Sequence, residues 1–167
     1  MEKYQTFGPR FVAQIVDTLV FLPLGVVNYA VSSLDLPPAA WYLWLLIFNL
    51  AFPFYTIFMH ARDGQTFGKM AVKVKVVTSS ENPITLHHAV VRSLPQIIFN
   101  SSLIFVSMSQ PAQTDEASYF SIDSIAAFVS VLMILWSVAN IAVFLFNDKR
   151  RALHDFVAGT VVVKTES

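Results

Sequence analysis

The chain has 167 residues, of which 55% are hydrophobic and 13% are charged, and its formal net charge is zero. Soluble domains usually carry about 25% charged residues, so this composition, with a mean hydropathy of +0.58, excludes an ordinary soluble domain. The length suits one domain, 1–167, and the absence of cysteine excludes disulfides, thiolate metal sites and a cysteine nucleophile. We expect no nucleic-acid partner.

Four apolar stretches predict an all-α membrane protein with four transmembrane helices. A hydrocarbon core needs roughly 20 helical residues, and the stretches cover 11–31, 39–59, 86–109 and 124–146. The third is long enough only if it starts near Leu86, as an interfacial segment that bends into the membrane at Pro95. Buried helices of a soluble protein are disfavoured because four stretches contain almost no charge. A signal peptide at 11–31 is disfavoured because Asp17 interrupts its apolar run.

Basic residues are segregated along the sequence. All 11 lie before the first helix, between the second and third helices up to Arg92, or after the fourth helix. The segments 32–38 and 110–123 contain none. Because basic residues favour the cytoplasmic side, we predict that both termini, the loop 60–85 and the tail 147–167 are cytoplasmic.

The cytoplasmic segments contain two predicted strands and one predicted helix. Residues 72–77 alternate valine and lysine, which is typical of a strand. Residues 160–164, Thr-Val-Val-Val-Lys, also read as a strand. We expect these strands to pair, since an unpaired edge is unfavourable. Between them, 148–158 reads as an interfacial amphipathic helix. Three of its basic residues are expected to contact lipid phosphates: Lys149, Arg150 and Arg151.

Asp17 is the first candidate for a functional residue. An ionisable side chain inside a membrane helix is unfavourable and is by default a functional hypothesis. Gln14 and Arg10 lie on the same helical face. Two interpretations stay open: Asp17 with Gln14 is an ion or proton site, or Asp17 is a structural anion paired with a basic residue.

Further polar residues lie within the predicted helices. They are Asn49, Gln96, Asn100, Ser137 and Asn140. Such side chains often form hydrogen bonds between helices, and we favour that role. A translocation path would require them to converge with Asp17.

The loop 60–85 contains Gly64-Gln65-Thr66-Phe67-Gly68-Lys69. This motif is too short for a phosphate-binding loop and lacks its Ser/Thr, so we reject a nucleotide site. The glycines are expected to shape a turn, with Lys69 at lipid phosphate. The four histidines lack the spacing of a helical metal site. We therefore predict no metal, no cofactor and no catalytic residue.

Several of these motifs, in order, resemble the RDD family of membrane proteins, named for one arginine and two aspartates. Arg10 and Asp17 match the arginine and the first aspartate, and Asp155 is the candidate for the second. The Gly64–Lys69 motif resembles the family's loop, although Phe67 stands where proline is usual. Arg92 fits the start of the following helix.

The resemblance implies a bacterial inner-membrane location and suggests transport of a small ion or solute. Monovalent cation/proton exchange would place the exchanging site at Asp17. Arg10 nearby would repel a cation, which counts against a simple exchange site unless Arg10 moves or pairs elsewhere.

Two other classes of function remain alternatives. In the first, Arg10, Asp17, Arg92 and Asp155 form a structural charge network in a scaffold, assembly factor or accessory subunit. A membrane enzyme using His154 and Asp155 has no supporting motif, so we expect a non-enzyme. Because four helices make a thin wall, we expect a homo-oligomer or other membrane subunits, with membrane lipids as further partners.

Overall fold

A computed structural model describes residues 2–108 and 116–165. The protein is mostly helical, with a small sheet. Its elements in chain order are a 3₁₀ turn at Glu2–Tyr4, α1 Phe7–Ser32, α2 Pro38–Asp63, α3 Phe67–Ala71, β1 Val74–Thr78, α4 Leu86–Met108, α5 Glu116–Phe146, α6 Leu153–Val157 and β2 Thr160–Lys164.

Three helical segments of the described chain are long and apolar enough to cross a membrane. They are Phe7–Ser32, Pro38–Asp63 and Ser124–Phe146. Their outward faces expose large apolar side chains such as Leu22, Phe54 and Ile134. Water would make that exposure unfavourable, whereas lipid tails would not. The protein is therefore a multi-pass membrane protein.

The fourth predicted span corresponds to α4 and is not among these three segments. The helix begins at Leu86 as predicted and continues through Pro95. Its first turns carry Arg92 among polar residues, which lowers its apolar character. The predicted end at residue 109 lies outside the described residues.

Two helices begin earlier than the apolar stretches indicated. The first starts at Phe7 rather than 11, and α5 starts at Glu116 rather than 124. Part of the predicted loop 110–123 is therefore helical, because a helix continues through polar residues where its backbone hydrogen bonds persist. Residues 109–115 of that loop lie outside the described chain.

The predicted strands pair. β1 and β2 form an antiparallel two-stranded sheet in which Val76 is opposite Val162. Both of these valines are fully buried, and Ile84 packs against them. The first strand begins at Val74 instead of 72 because Lys73 has a positive φ of 53°, which a strand does not accommodate.

The predicted tail helix 148–158 is wrong in extent, since α6 covers only Leu153–Val157. Before it, the Asn147 side chain accepts a hydrogen bond from the Lys149 backbone N–H at 3.0 Å. Arg150 then adopts a positive φ of 48°. These turn features compete with the helix and delay its start.

Candidate functional site

The Gly64–Lys69 motif forms the turn that joins α2 to α3. Gly64 ends α2 with φ at 70°, a conformation that favours glycine, and its N–H donates to the His60 carbonyl. Thr66 caps α3 by accepting a hydrogen bond from the Lys69 N–H. A Cβ at Gly68 would overlap the Ala13 carbonyl, so glycine permits α3 to lie directly against α1.

Asp17 is the point at which this turn is attached to α1. Its side chain is buried, and its Oδ1 accepts hydrogen bonds from the Tyr55 hydroxyl at 2.9 Å and the Gly68 N–H at 2.8 Å. Its Oδ2 accepts one from the Thr66 hydroxyl at 2.6 Å. Both oxygens are therefore occupied by neutral donors, and Asp17 orders the loop motif.

Asp155 forms a second buried centre with two arginines. Its Oδ2 lies 2.6 Å from Arg10 Nη1, and its Oδ1 lies 2.5 Å from Arg92 Nη1. The Ala152 N–H also donates to Oδ2 at 3.0 Å. We call Arg10, Asp155 and Arg92 the arginine–aspartate network. It joins α1 and α4 to α6, while Asp17 binds the loop motif instead.

The network determines the charge states in α6. Burial alone would raise the pKa of the Asp155 carboxyl, but Arg92 and Arg10 outweigh it and hold that pKa well below its usual range. Burial lowers the pKa of His154 to about 4, against the opposing attraction of Asp155. At neutral pH, His154 is therefore uncharged and Asp155 is an anion.

A cavity of about 380 Å³ lies between the two aspartate centres; we call it the polar cavity. Polar residues of α1, α4 and α5 converge on it, although the sequence could not show that they meet. They are Gln14, Asp17, Gln96, Asn100 and Ser137. Asn100 also donates to the Asn49 carbonyl at 3.2 Å, as expected of a hydrogen bond between helices.

Sequence reasoning missed the pairing of Lys69 with His60 at the polar cavity. Lys69 Nζ lies 2.5 Å from His60 Nε2, and both residues line the cavity. Lys69 therefore faces the polar cavity, and its contact with lipid phosphate stays a prediction. Burial, together with the charges of Arg92 and Arg10, lowers the pKa of the Lys69 amine well below its usual value. The Gly-rich turn that directs Lys69 inward was visible in the sequence, but its direction was not.

The three basic residues predicted at lipid phosphates differ in their contacts. Arg151 Nε donates to the Thr160 carbonyl at 2.8 Å, and its guanidinium stacks on Phe156. Arg150 Nη1 donates to the Leu145 carbonyl at the end of α5. Lys149 is exposed. The contacts of Arg151 therefore lie within the tail, while a lipid contact of Lys149 stays a prediction.

Comparison with protein families matches the sequence to the RDD family over residues 4–159. The chain belongs to the RDD family. That match includes both aspartate centres and the loop motif. No curated protein and no solved structure matches the chain.

The two aspartates expected of an RDD protein lie in separate centres of the structure. Arg10 and Asp155 form an ion pair 145 positions apart in sequence, and the Thr66 and Gly68 contacts hold Asp17. Arg10 and Asp17 line the polar cavity, and Asp155 lies behind its lining, in contact with Arg10.

Proposed function

We propose that this RDD protein carries a small charged solute across the bacterial inner membrane through the polar cavity. The observation that carries the proposal is the convergence of Gln14, Gln96, Asn100 and Ser137 on one cavity. Side chains that only link helices need not share a cavity. A volume of about 380 Å³ also falls within the range of small-molecule sites.

The sheet supports α4 as a fourth span. β1 precedes α4 and β2 follows α5, yet the two strands pair and must lie on one side of the membrane. If α5 crosses the membrane, α4 must cross it too. With 23 residues and a rise of about 1.5 Å per residue, α4 is long enough to do so.

The distribution of charge supports a cytoplasmic location for both termini. The Lys3 ammonium pairs with Glu81 at 2.7 Å, which places the N-terminus beside the segment that precedes α4. The paired strands bring the C-terminal tail to the same side. Basic residues are concentrated in these segments, and such residues favour the cytoplasm.

The geometry supports a solute position beside Asp17 rather than on it. Monovalent cation/proton exchange would use the Asp17 carboxylate, but three donors already occupy it. A cation bound there would compete with the Thr66 and Gly68 donors for the two oxygens and so weaken the contacts that hold the loop motif. We therefore place the solute in the polar cavity and assign Asp17 to its wall.

Flux measurements in proteoliposomes test the transport proposal. Vesicles containing the purified protein and a trapped pH dye would receive pulses of sodium, potassium, chloride, acetate or phosphate salts. We expect a response to at least one salt. Replacing Gln96 by Leu should decrease it because Gln96 lines the cavity, whereas Ser130→Leu should not, since Ser130 is exposed on α5 and outside the cavity lining. No protein-dependent response to any salt would overturn transport.

A scaffold or accessory subunit is the second candidate, favoured by the contacts that both aspartates already make within the chain. Hydrogen bonds occupy both oxygens of Asp17, and Asp155 lies between two arginines. In this alternative, Asp17→Asn decreases membrane abundance or loses a partner in a detergent pull-down. Unchanged abundance and partners would remove it.

Both candidates are non-catalytic and share an expectation about assembly. Four helices make a thin wall around a solute path, so we propose a homo-oligomer or association with other membrane subunits. Mass measurement after purification with native lipids would show oligomeric state, partners and retained lipid. A monomer without partners would contradict this part of the proposal.

A further inference from the structure

The charges around the polar cavity are predominantly positive. Among the described residues that line it, the cationic side chains are Arg10, Lys69 and Arg92, and Asp17 is the carboxylate. Asp155 lies behind the lining and contacts both arginines. Two carboxylates therefore face three basic side chains, which leaves one positive charge to be balanced when all three are protonated.

Both carboxylates already have partners, with which a cation in the cavity would have to compete. The oxygens of Asp17 accept from Tyr55, Thr66 and Gly68. The oxygens of Asp155 face the two guanidinium groups. A metal or alkali cation would therefore find basic groups at the wall with no free carboxylate to offset them.

Donors, in contrast, are available. Arg10 Nη2 is buried without a hydrogen-bond partner within the described chain, and a buried unpaired guanidinium nitrogen is unfavourable. Lys69 Nζ has His60 as its neighbour at the cavity wall. Gln96 and Asn100 add neutral amide groups.

We propose that the polar cavity binds a small anion through Lys69 and Arg10, with Arg92 adding to its positive potential. The proposal rests on the proposed function, because it names the class of solute that the cavity carries. Carboxylate and phosphate groups suit these donors, since guanidinium and ammonium groups form charge-assisted hydrogen bonds with both. A lipid headgroup phosphate has the same chemistry as a soluble phosphate.

An anion would also change the protonation of Lys69. Burial and the neighbouring Arg92 and Arg10 lower the pKa of its amine. An anion at the same wall would raise that pKa again, so binding is coupled to proton uptake. The other titratable groups that face Lys69 are His60, Asp17, Asp155 and His154.

Binding measurements on the purified full chain test the proposal without requiring transport. In one arm, sodium phosphate, acetate or chloride is titrated into protein in an uncharged maltoside detergent, and N-methylglucamine phosphate replaces sodium phosphate as the control for the cation. In the other, nanodiscs of phosphatidylcholine are compared with nanodiscs containing phosphatidylglycerol. Calorimetry and melting temperature report binding. The arm in which binding is observed shows whether the anion is a soluble salt or a lipid headgroup.

The decisive comparison is between two lysine variants. Lys69→Gln should weaken anion binding at least tenfold, whereas Lys164→Gln, which removes an exposed lysine from β2, should not. Lys69→Arg retains the charge and should retain binding. This variant therefore shows whether weaker binding in Lys69→Gln is due to the lost charge or to a folding defect. Anion binding that is equal in Lys69→Gln and wild type, or no anion binding in either arm, would overturn the proposal. Binding without flux would instead contradict the transport function alone.

Discussion

Arg10 Nη1 on α1 lies 2.6 Å from Asp155 Oδ2 on α6, and the Asp155 side chain has no exposed surface. The ion pair joins the first helix to the tail of the chain. Because Arg92 approaches the other oxygen, one carboxylate holds three elements together. The stability of this end of the molecule should therefore depend on Asp155.

Replacing Asp155 by Asn should destabilise the protein strongly. Removing one partner of a buried ion pair usually costs about 3–5 kcal/mol because the remaining charge is left uncompensated. Here, Arg10 and Arg92 would both lose their counter-ion. Melting temperature in detergent measures the effect. Glu81→Gln is the matched control, because its pair with Lys3 is exposed and should contribute little. Equal effects of the two substitutions would contradict the central role of Asp155.

Thr66→Val should loosen the loop motif. The Thr66 hydroxyl donates to Asp17 at 2.6 Å, and a hydrogen bond to a charged group contributes about 1.5–3 kcal/mol. Thr66→Ser retains the hydroxyl and should remain close to wild type. Melting temperature and limited proteolysis between Gly64 and Lys73 report the change. If Val and Ser variants behave alike, the hydrogen bond is not what orders the loop.

Gly68→Ala should disturb the contact between α3 and α1. The added methyl group would overlap the Ala13 carbonyl, so α3 would have to move away from Asp17. Overpacking of this kind costs about 1–3 kcal/mol. Gly25→Ala is the control, since no atom lies within 4 Å of a Cβ at that position. Thermal stability distinguishes them, and an unchanged Gly68→Ala protein would show that α3 has space to shift.

Acid should destabilise the folded protein in a defined pH window. Burial lowers the pKa of His154 from 6.5 to about 4, so the unfolded chain takes up a proton at higher pH than the folded chain. Stability should therefore decrease as the pH falls from about 6.5 to about 4. The depressed pKa of Asp155 acts in the same direction at lower pH, since its contribution decreases progressively as the pH falls from the unfolded value of about 3.9 toward the lower folded pKa.

Melting temperature as a function of pH checks this prediction. His154→Gln removes the titrating ring and should flatten the curve above pH 4, whereas substitution of the exposed His87 should not. A variant and wild type with the same slope would mean that His154 is already protonated in the folded protein.

Single-cysteine labelling tests the four-span topology, since the chain has no cysteine of its own. Cysteine at Ser79 and at Thr165 should react only from the cytoplasm, because the two positions flank the paired strands. Cysteine at Ser33, between α1 and α2, should react only from outside. An impermeant maleimide on intact cells and on inverted vesicles distinguishes the sides. Labelling of Ser79 and Thr165 from opposite sides would exclude α4 as a span.

Residue composition and order were sufficient to predict the membrane class, the family and the two strands. Apolar runs and segregated basic residues depend on local composition, which lipid and water sort directly. Alternation of valine and lysine predicted β1, because side chains in a strand point to alternate faces, and the valine-rich segment 160–164 predicted β2. The sequence-based prediction misplaced the helix ends and the tail helix. At the tail helix, Asn147 and Arg150 form a turn through contacts that composition does not show.

The residues that meet at the site could be identified only from the packing of the helices. The sequence proposed one network of Arg10, Asp17, Arg92 and Asp155, but the fold divides it into two centres. Asp17 binds Thr66 and Gly68 because glycine permits α3 to lie against α1. Arg10 pairs with a carboxylate 145 positions away because α6 packs beside it. Such distances depend on how helices pack, and no local pattern of residues specifies that packing.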